Sequence, residues 1–326
     1  MKLQILVPQY KETNEIIKPL LDSIEVQQNV DLANDVGVII VNDGTDVHLS
    51  REFLDKYSFD IEYHLNEHKG VSATRNACLD YATADYVMFC DADDMFYNAC
   101  GLYIIFREID NGGFDSLVSA FIEETRIPLT NEIVYINHDM DSTFVHGKVH
   151  RRQYLIDQNI RWNEKLTIHE DSYFNCLCQK LASELKYSQT SFYLWRWRDD
   201  SVCRSDFKYI LKTYNNMLDS NEALIEELLK RGYKEDAQFY ATSMIFDAYF
   251  TMNKNEWINQ ENKKYRINTQ KRFKKYYLKF KHLFKTIPED VKTQIIVNIK
   301  NRMYTEGLVM ESITFEDWIK HVVKKY

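Results

Sequence analysis

The chain has 326 residues, 45% of them hydrophobic, and a net charge of −8 at pH 7. That length holds one large domain and a smaller one, and the acidic balance excludes a generally cationic nucleic-acid binder. Gly and Pro, at 9 and 4 residues, are too scarce for long flexible linkers. The six cysteines (Cys78, Cys90, Cys100, Cys176, Cys178, Cys203) form no CxxC pair and no zinc-finger spacing. Buried free thiols in a reducing compartment are therefore expected. Residues 1–8 run too quickly into a strand and a proline to be a signal peptide, and no 18-residue apolar span occurs. No transmembrane helix is expected, and the location is expected to be cytoplasmic.

In chain order, Leu3 to Val7 reads as a strand that stops at Pro8. A helix from about Glu15 to Gln28 follows, with Ile16, Ile17, Leu20, Leu21 and Ile24 at helical spacing. Val36 to Val41 is a second strand ending in Asn42-Asp43-Gly44-Thr45. Residues 50–57 read as a short helix and Ile61 to Leu65 as a third strand. Gly70 opens a helix running to about Ala82, and Tyr86 to Cys90 is a fourth strand. This alternation predicts an α/β fold, Rossmann-like, with a mainly parallel sheet and helices on both faces. Further on, a helix near 99–109, strands at 116–123 and 132–136, and helices at 152–158 and 168–178 are expected. From about Phe207 nearly everything reads as helix. A boundary near 205 separates a domain of residues 1–205 from an α-helical domain of residues 206–326.

The apolar run Tyr86–Cys90 meets Asp91-Ala92-Asp93-Asp94. Three carboxylates cannot continue into a core, so the strand must end there in a polar loop. At the carboxyl edge of an open sheet that is where ligands bind. Carboxylates at alternate positions suit a hard divalent cation that also carries phosphate oxygens. A solvated turn or helix cap gives the same pattern. Asp43 would lie on the same edge, placed to accept from an N–H of a nucleobase. The start of the helix opened by Gly70 favours anions, and Arg75 adds a cationic fork suited to phosphate or base edges. Glu170-Asp171 begins a helix, where either carboxylate could take a proton from a hydroxyl, or simply compensate the helix dipole. Trp195-Arg196-Trp197-Arg198, with Ser201 and Arg204, gathers cations and aromatics fit to clamp a diphosphate. His146 and His150 flank Lys148, and His146 is the weaker candidate for a metal shell.

Taken in order, these segments resemble the family 2 glycosyltransferases with the GT-A fold. The resemblance lies in Val7-Pro8-Gln9-Tyr10-Lys11-Glu12, Val41-Asn42-Asp43-Gly44-Thr45, Lys69 to Ala77, Phe89 to Asp94, Lys148 to Leu155, Arg161 to Glu164, His169-Glu170-Asp171 and Leu194 to Ser201. It covers about residues 3–204. Lys11, Thr45 and Thr74 depart from the usual Asn, Ser and Ala. The resemblance implies transfer of a sugar from a nucleoside-diphosphate sugar, commonly UDP-linked, with inversion. Asp43 would bind the base with Arg75 nearby, and Asp91 the ribose or metal-bound water. Asp93, with Asp91, would ligate Mn²⁺ or Mg²⁺, and Asp171 would be the general base. Arg196, Arg198 and Ser201 would close over the diphosphate, and Pro8, Tyr10, Glu12 and Ala92 would complete the donor site.

The acceptor is expected to be a hydroxyl on a glycan, a cell-wall polymer or another polyanion, with modified DNA bases as an alternative. A nucleotidyltransferase, or a non-catalytic polyanion-binding protein with a vestigial sugar site, also fits the residues. Lys263 to Lys285 hold ten Lys or Arg and no Asp or Glu, so against a whole-chain charge of −8 the remainder carries −18. Phe273, Tyr277, Phe280 and Phe284 form an aromatic stripe there. The stripe is expected to pack on the catalytic domain, to hold a polyanion such as nucleic acid, or to lie on an anionic membrane at its inner face. Pairing of protomers through the stripe would give a homo-oligomer.

Overall fold

Strand β1 (Leu3–Gln9) is buried along almost its whole length, as is β2 (Val36–Asp43). Only strands covered by helices on both faces can be apolar at successive positions. Alternation sends Leu3, Ile5 and Val7 to one side, where they join Ile17, Leu20 and Leu21 of α1 (Asn14–Glu25), Phe53 and Leu54 of α3 (Arg51–Leu54) and Leu102 and Ile105 of α5 (Gly101–Asp110). A short helix, α2 (Leu32–Asp35), leads into β2. On the other side, α4 (Val71–Tyr81) packs on β1 and β2. There Phe89, at the end of β4 (Tyr86–Phe89), meets Trp162 and Phe174 edge-on, the latter from α7 (Glu170–Leu181).

The computed structural model describes residues 1–127, 129–141, 143–198, 207–251, 262–305 and 313–325. Its contacts divide the chain into two units, Met1–Ser201 and Val202–Tyr326. In the first, the strand order is β3-β2-β1-β4-β8-β6-β9-β5, with β7 paired to β6. Here β3 is Asp60–Asn66, β5 Met95–Phe96, β6 Ser116–Arg126, β7 Ile133–His138, β8 Lys148–Arg151 and β9 Leu185–Trp195. The sheet is mixed. β3, β2, β1 and β4 are parallel, as the alternation of strand and helix requires. β8, which leads into α6 (Arg152–Asp157), then runs antiparallel to both β4 and β6, while β9 is parallel to β6. β6 and β9 therefore point the same way as β4. The segments leaving β1, β2, β4 and β9 all emerge at one edge. β1 continues through Pro8 to Gln9, beyond its last pair with β4 at Leu6, so the missing N–H interrupts no bond to that strand.

The second unit contains α8 (Phe207–Lys230), α9 (Lys234–Thr251), α10 (Lys263–Phe284), α11 (Glu289–Thr305) and α12 (Phe315–Lys325). The aromatic face of α10 packs on α8 and α9 of its own unit. Its buried residues are Thr269, Phe273, Tyr276, Phe280, Leu283 and Phe284, so the helical period selects Tyr276, not the expected Tyr277, which is half-buried. Part of its positive charge is answered within the unit: Arg272 meets Asp219 and Glu222, and Lys279 meets Glu222 and Glu226. Among the described residues no helix is long and apolar enough to cross a membrane.

Candidate active site

Asp43 closes β2, and Gly44 turns the chain at a φ of 68°, where a side chain would collide with the backbone of His68. That close approach lays the β3–α4 loop on the Asp43 carboxylate. The carboxylate accepts from the amides of Lys69 (2.8 Å) and Gly70 (3.1 Å), with His68 Nδ1 at 3.0 Å. Asp43 is buried, so the outward-aimed acceptor expected from its turn is committed to shaping the start of α4. Tyr10 stacks on His68 at 5.1 Å, leaving an exposed ring pair beside Asp43. Glu12 holds the amides of Tyr10 and Lys11.

One turn into α4, Arg75 is buried and reaches two elements at once. Its Nη1 donates to Glu170 Oε1 (2.8 Å) and its Nη2 to Asp91 Oδ1 (2.9 Å), and the guanidinium lies 4.5 Å from the Trp162 ring. Burial works against its charge, but the two carboxylates hold its pKa above the ordinary guanidinium value. The same helix anchors the approach to α7. Ser72 Oγ donates to Leu166 O, Asn76 pairs with the backbone of Trp162, and Asp80 grips Arg161. Sequence distance of about ninety residues is thus closed by α4.

After β4 the chain makes a turn in which the Asp94 amide donates to Asp91 O (3.1 Å). The turn separates the carboxylates. Asp94 points inward, is fully buried, and accepts from the Tyr193 hydroxyl and the Arg196 amide (2.9 Å). Burial, then the charges of Asp93 and Asp91, push its carboxyl well above the usual range. Asp93 points the other way, to Arg198 Nη1 at 3.0 Å, and Arg196 Nη1 donates to its carbonyl (3.2 Å). Arg198 also lies 3.6 Å from Glu12. Ala92 is buried between the two carboxylates in sequence.

His146 enters from the segment before β8. Gly147, at a φ of 65°, packs against Ser119, and the buried Lys148 ammonium donates to the carbonyls of Phe144 and His146. His146 is buried and stacked on Phe144 (5.5 Å) and Tyr193 (4.8 Å). Burial pushes its pKa down to about 3, so the imidazole is neutral. Its Nδ1 has no hydrogen-bond partner and lies 3.8 Å from Asp94 Oδ2. The ligand atoms of Asp91, Asp94 and His146 all lie within 4.8 Å of one another. The sequence pattern had favoured Asp93 beside Asp91, and the turn offers Asp94 instead.

Asp171 is the second residue of α7, entered through His169 at a left-handed φ of 63°. Burial, then the neighbouring Glu170, push its carboxyl up to about 7, while Arg75 opposes the shift. Glu170 faces Arg75, leaving Asp171 with the amide of Ser172 as its hydrogen-bond donor. Ser201 and Arg204 lie outside the described residues. Asp94 and Tyr193 were not singled out from the sequence. No local signal marks Asp94, because the turn that follows Phe89 breaks the strand's alternation before that residue is reached.

Residues 4–171 match the description Glycosyl transferase family 2, and the chain belongs to that family. It is similar to the uncharacterized glycosyltransferase EpsJ of Bacillus subtilis (strain 168), 22% identical over 227 residues that span 63% of this chain and 64% of EpsJ. It is also similar to glycosyltransferase GlyA of Streptococcus pneumoniae serotype 4, 27% identical over 257 residues, 71% of this chain and 35% of GlyA. The matches therefore span just under two thirds of one relative and about a third of the other. Among solved structures, S. aureus TarS 1–349 superposes with a TM-score of 0.65 at 17% identity, covering 100% of this chain and 91% of that one. The same fragment has been solved with UDP-GlcNAc. Mannosyltransferase PcManGT from Pyrobaculum calidifontis, in complex with GDP-Man and Mn²⁺, follows at 0.50, with 13% identity over 69% of this chain and 64% of that one. The fold is a GT-A sheet followed by a helical region.

Proposed function

We propose that this chain is a metal-dependent, inverting glycosyltransferase that moves a sugar from a UDP-linked donor to an acceptor hydroxyl. The observation that carries this reading is the convergence of Asp91, Asp94 and His146, joined through Arg75 and Glu170 to Asp171. A buried, neutral imidazole with an unpartnered nitrogen between two carboxylates fits a divalent cation, and the mixed N and O donors favour Mn²⁺ over Mg²⁺. A cation held there would neutralise the diphosphate as it leaves.

The chain's own residues supply the remainder. Asp171, with its pKa moved up to about 7, is tuned to accept a proton from the acceptor hydroxyl near neutral pH. Arg75 fixes the distance between that base and Asp91. Arg196 and Arg198, held against Asp93 and Glu12, bring two guanidinium groups to the diphosphate side. The exposed Tyr10–His68 pair, held beside Asp43, is suited to stack on the base. Direct displacement needs one base and one stabilised leaving group, so no enzymic nucleophile is required. The TarS complex with UDP-GlcNAc supports a UDP-sugar as donor.

A thermal-shift panel of UDP-, GDP- and dTDP-sugars, with and without Mn²⁺, tests the reading. A ligand at a hundred times its Kd stabilises by about 2.7 kcal/mol. A UDP-sugar should raise the melting temperature, and more so with Mn²⁺. No stabilisation by any nucleotide sugar would overturn the proposal. Release of pyrophosphate, rather than UDP, would make it a nucleotidyltransferase.

A further inference from the structure

The sheet face that carries Tyr193 continues past the carboxylate cluster. Tyr193 and Trp195 stand two residues apart on β9 and share a face, and the β6–β9 register sets Phe121 beside Tyr193 and Glu123 beside Trp195. Phe144, Trp195 and His146 form a triangle of rings, with centroids 5.6 Å apart for Phe144–Trp195, 5.5 Å for Phe144–His146 and 5.1 Å for His146–Trp195. Glu123 accepts from His138 Nε2 at 2.7 Å, and His138 stacks on Phe121 at 4.6 Å. Further out, Trp197 lies 5.9 Å from the Arg126 guanidinium. On the other flank Asn175, one turn along α7 from Asp171, donates to Thr143 O (2.9 Å) and so fixes Phe144 beside the helix of the proposed base. Phe144, Trp195 and Trp197 are all half-buried, each keeping part of its surface in solvent.

Half-exposed rings bordered by a carboxylate and an imidazole match one chemical class. A pyranose offers aliphatic C–H groups on one face and hydroxyls around its rim. The rings cover the first, and the polar pair bonds the second. A polyanion would instead set its charge against Glu123, and Arg126, the cation at the outer end of the row, is engaged by the Trp197 ring and by Asn131.

We propose that Trp195, Phe144 and Trp197, with Glu123 and His138, form the acceptor subsite, and that it takes an uncharged pyranose ring. The assignment rests on the glycosyl-transfer reading above. It places the acceptor ring between the metal-ligand cluster and α7, with a hydroxyl directed to Asp171.

Saturation-transfer NMR on the full chain with UDP and Mn²⁺ tests it, with methyl glucopyranosides, galactopyranosides and N-acetylglucosaminides as probes. At least one sugar should receive transfer on the C–H protons of a single ring face, and added salt should not weaken it. Trp195→Ala and Phe144→Ala should each lower the affinity about tenfold, and Trp195→Phe should retain it. UDP binding is measured for each variant, because Trp195 and Phe144 also pack on His146, and a loss of sugar affinity that exceeds any loss of UDP affinity marks the acceptor subsite. Trp197→Ala tests the same row if the Trp195 variant does not fold. The assignment falls if UDP binds but no uncharged sugar receives transfer, if the alanine variants keep full transfer, or if inorganic polyphosphate displaces the sugar in a salt-dependent manner. Failure of UDP to bind wild type would overturn the donor reading on which the assignment stands.

Discussion

Arg75→Met removes the side chain that bridges Asp91, just past β4, and Glu170 of α7. Methionine keeps the contact with Trp162 but deletes both charge-assisted bonds. Such bonds contribute about 1.5–3 kcal/mol each. The Asp91 side chain is 34% exposed and regains water readily, whereas that of Glu170, at 12%, stays largely desolvated. A total loss of about 2–4 kcal/mol follows, equivalent to a fall in melting temperature of roughly 5–15 °C for a unit of this size. Calorimetry on wild type, Arg75→Met, Glu170→Gln and the double variant measures it. Because the cost lies mostly in the orphaned carboxylate, the double variant should recover about half of it. A melting temperature within about 1 °C of wild type for Arg75→Met would refute the bridge.

His146→Ala should weaken Mn²⁺ binding about 10- to 100-fold by calorimetric titration, whereas Asp93→Asn should leave it within about threefold and raise the donor KM. Equal losses from both would favour Asp93 as the ligand. With Asp171 as the proposed base, acting as its carboxylate, the acid limb of kcat/KM should fall below about 7, the value to which burial moves its carboxyl. Its folded-state pKa is raised above 3.8, so ionisation costs stability progressively from there to about 7. Asp171→Asn should therefore raise the melting temperature at pH 8 and leave it unchanged at pH 3, and an unchanged value at both would contradict the burial. Phe174→Ala removes a fully buried ring stacked on Trp162 at 4.1 Å and should cost about 3–5 kcal/mol in the denaturant midpoint at constant slope.

β1, β2 and β4 were legible because each is a compact apolar run between turn signals, and burial on both faces writes that pattern directly. β3, an edge strand with no buried residue, carries apolar side chains only at alternate positions, Ile61, Tyr63 and Leu65. β8 escaped notice because Lys148 and His150 are polar yet buried. Each is satisfied locally, Lys148 by two carbonyls and His150 by Ser116 Oγ at 2.9 Å, so the hydropathy pattern does not show the strand. β9 is buried continuously only at Phe192, Tyr193 and Leu194, and its remaining Ser, Gln and Thr residues look like loop. Pairing with β6 makes it a strand, which no local propensity encodes. Within the site, Asp91 stood out as a charge at the end of an apolar run, whereas Arg75 and Asp171 stood out only as charges at helix starts, with their roles implied by the family resemblance. Which of Asp93 and Asp94 turns inward depends on a single turn, and Tyr193, the phenol that bonds the inward Asp94, is about a hundred residues away.

Turnover and donor binding measured together on Asp171→Asn test the central claim most directly, with the nucleotide sugar identified by thermal shift and Mn²⁺ present. Nucleotide release should fall about 10²- to 10⁴-fold while donor and Mn²⁺ affinities stay at wild-type values. Wild-type turnover in that variant would contradict the account.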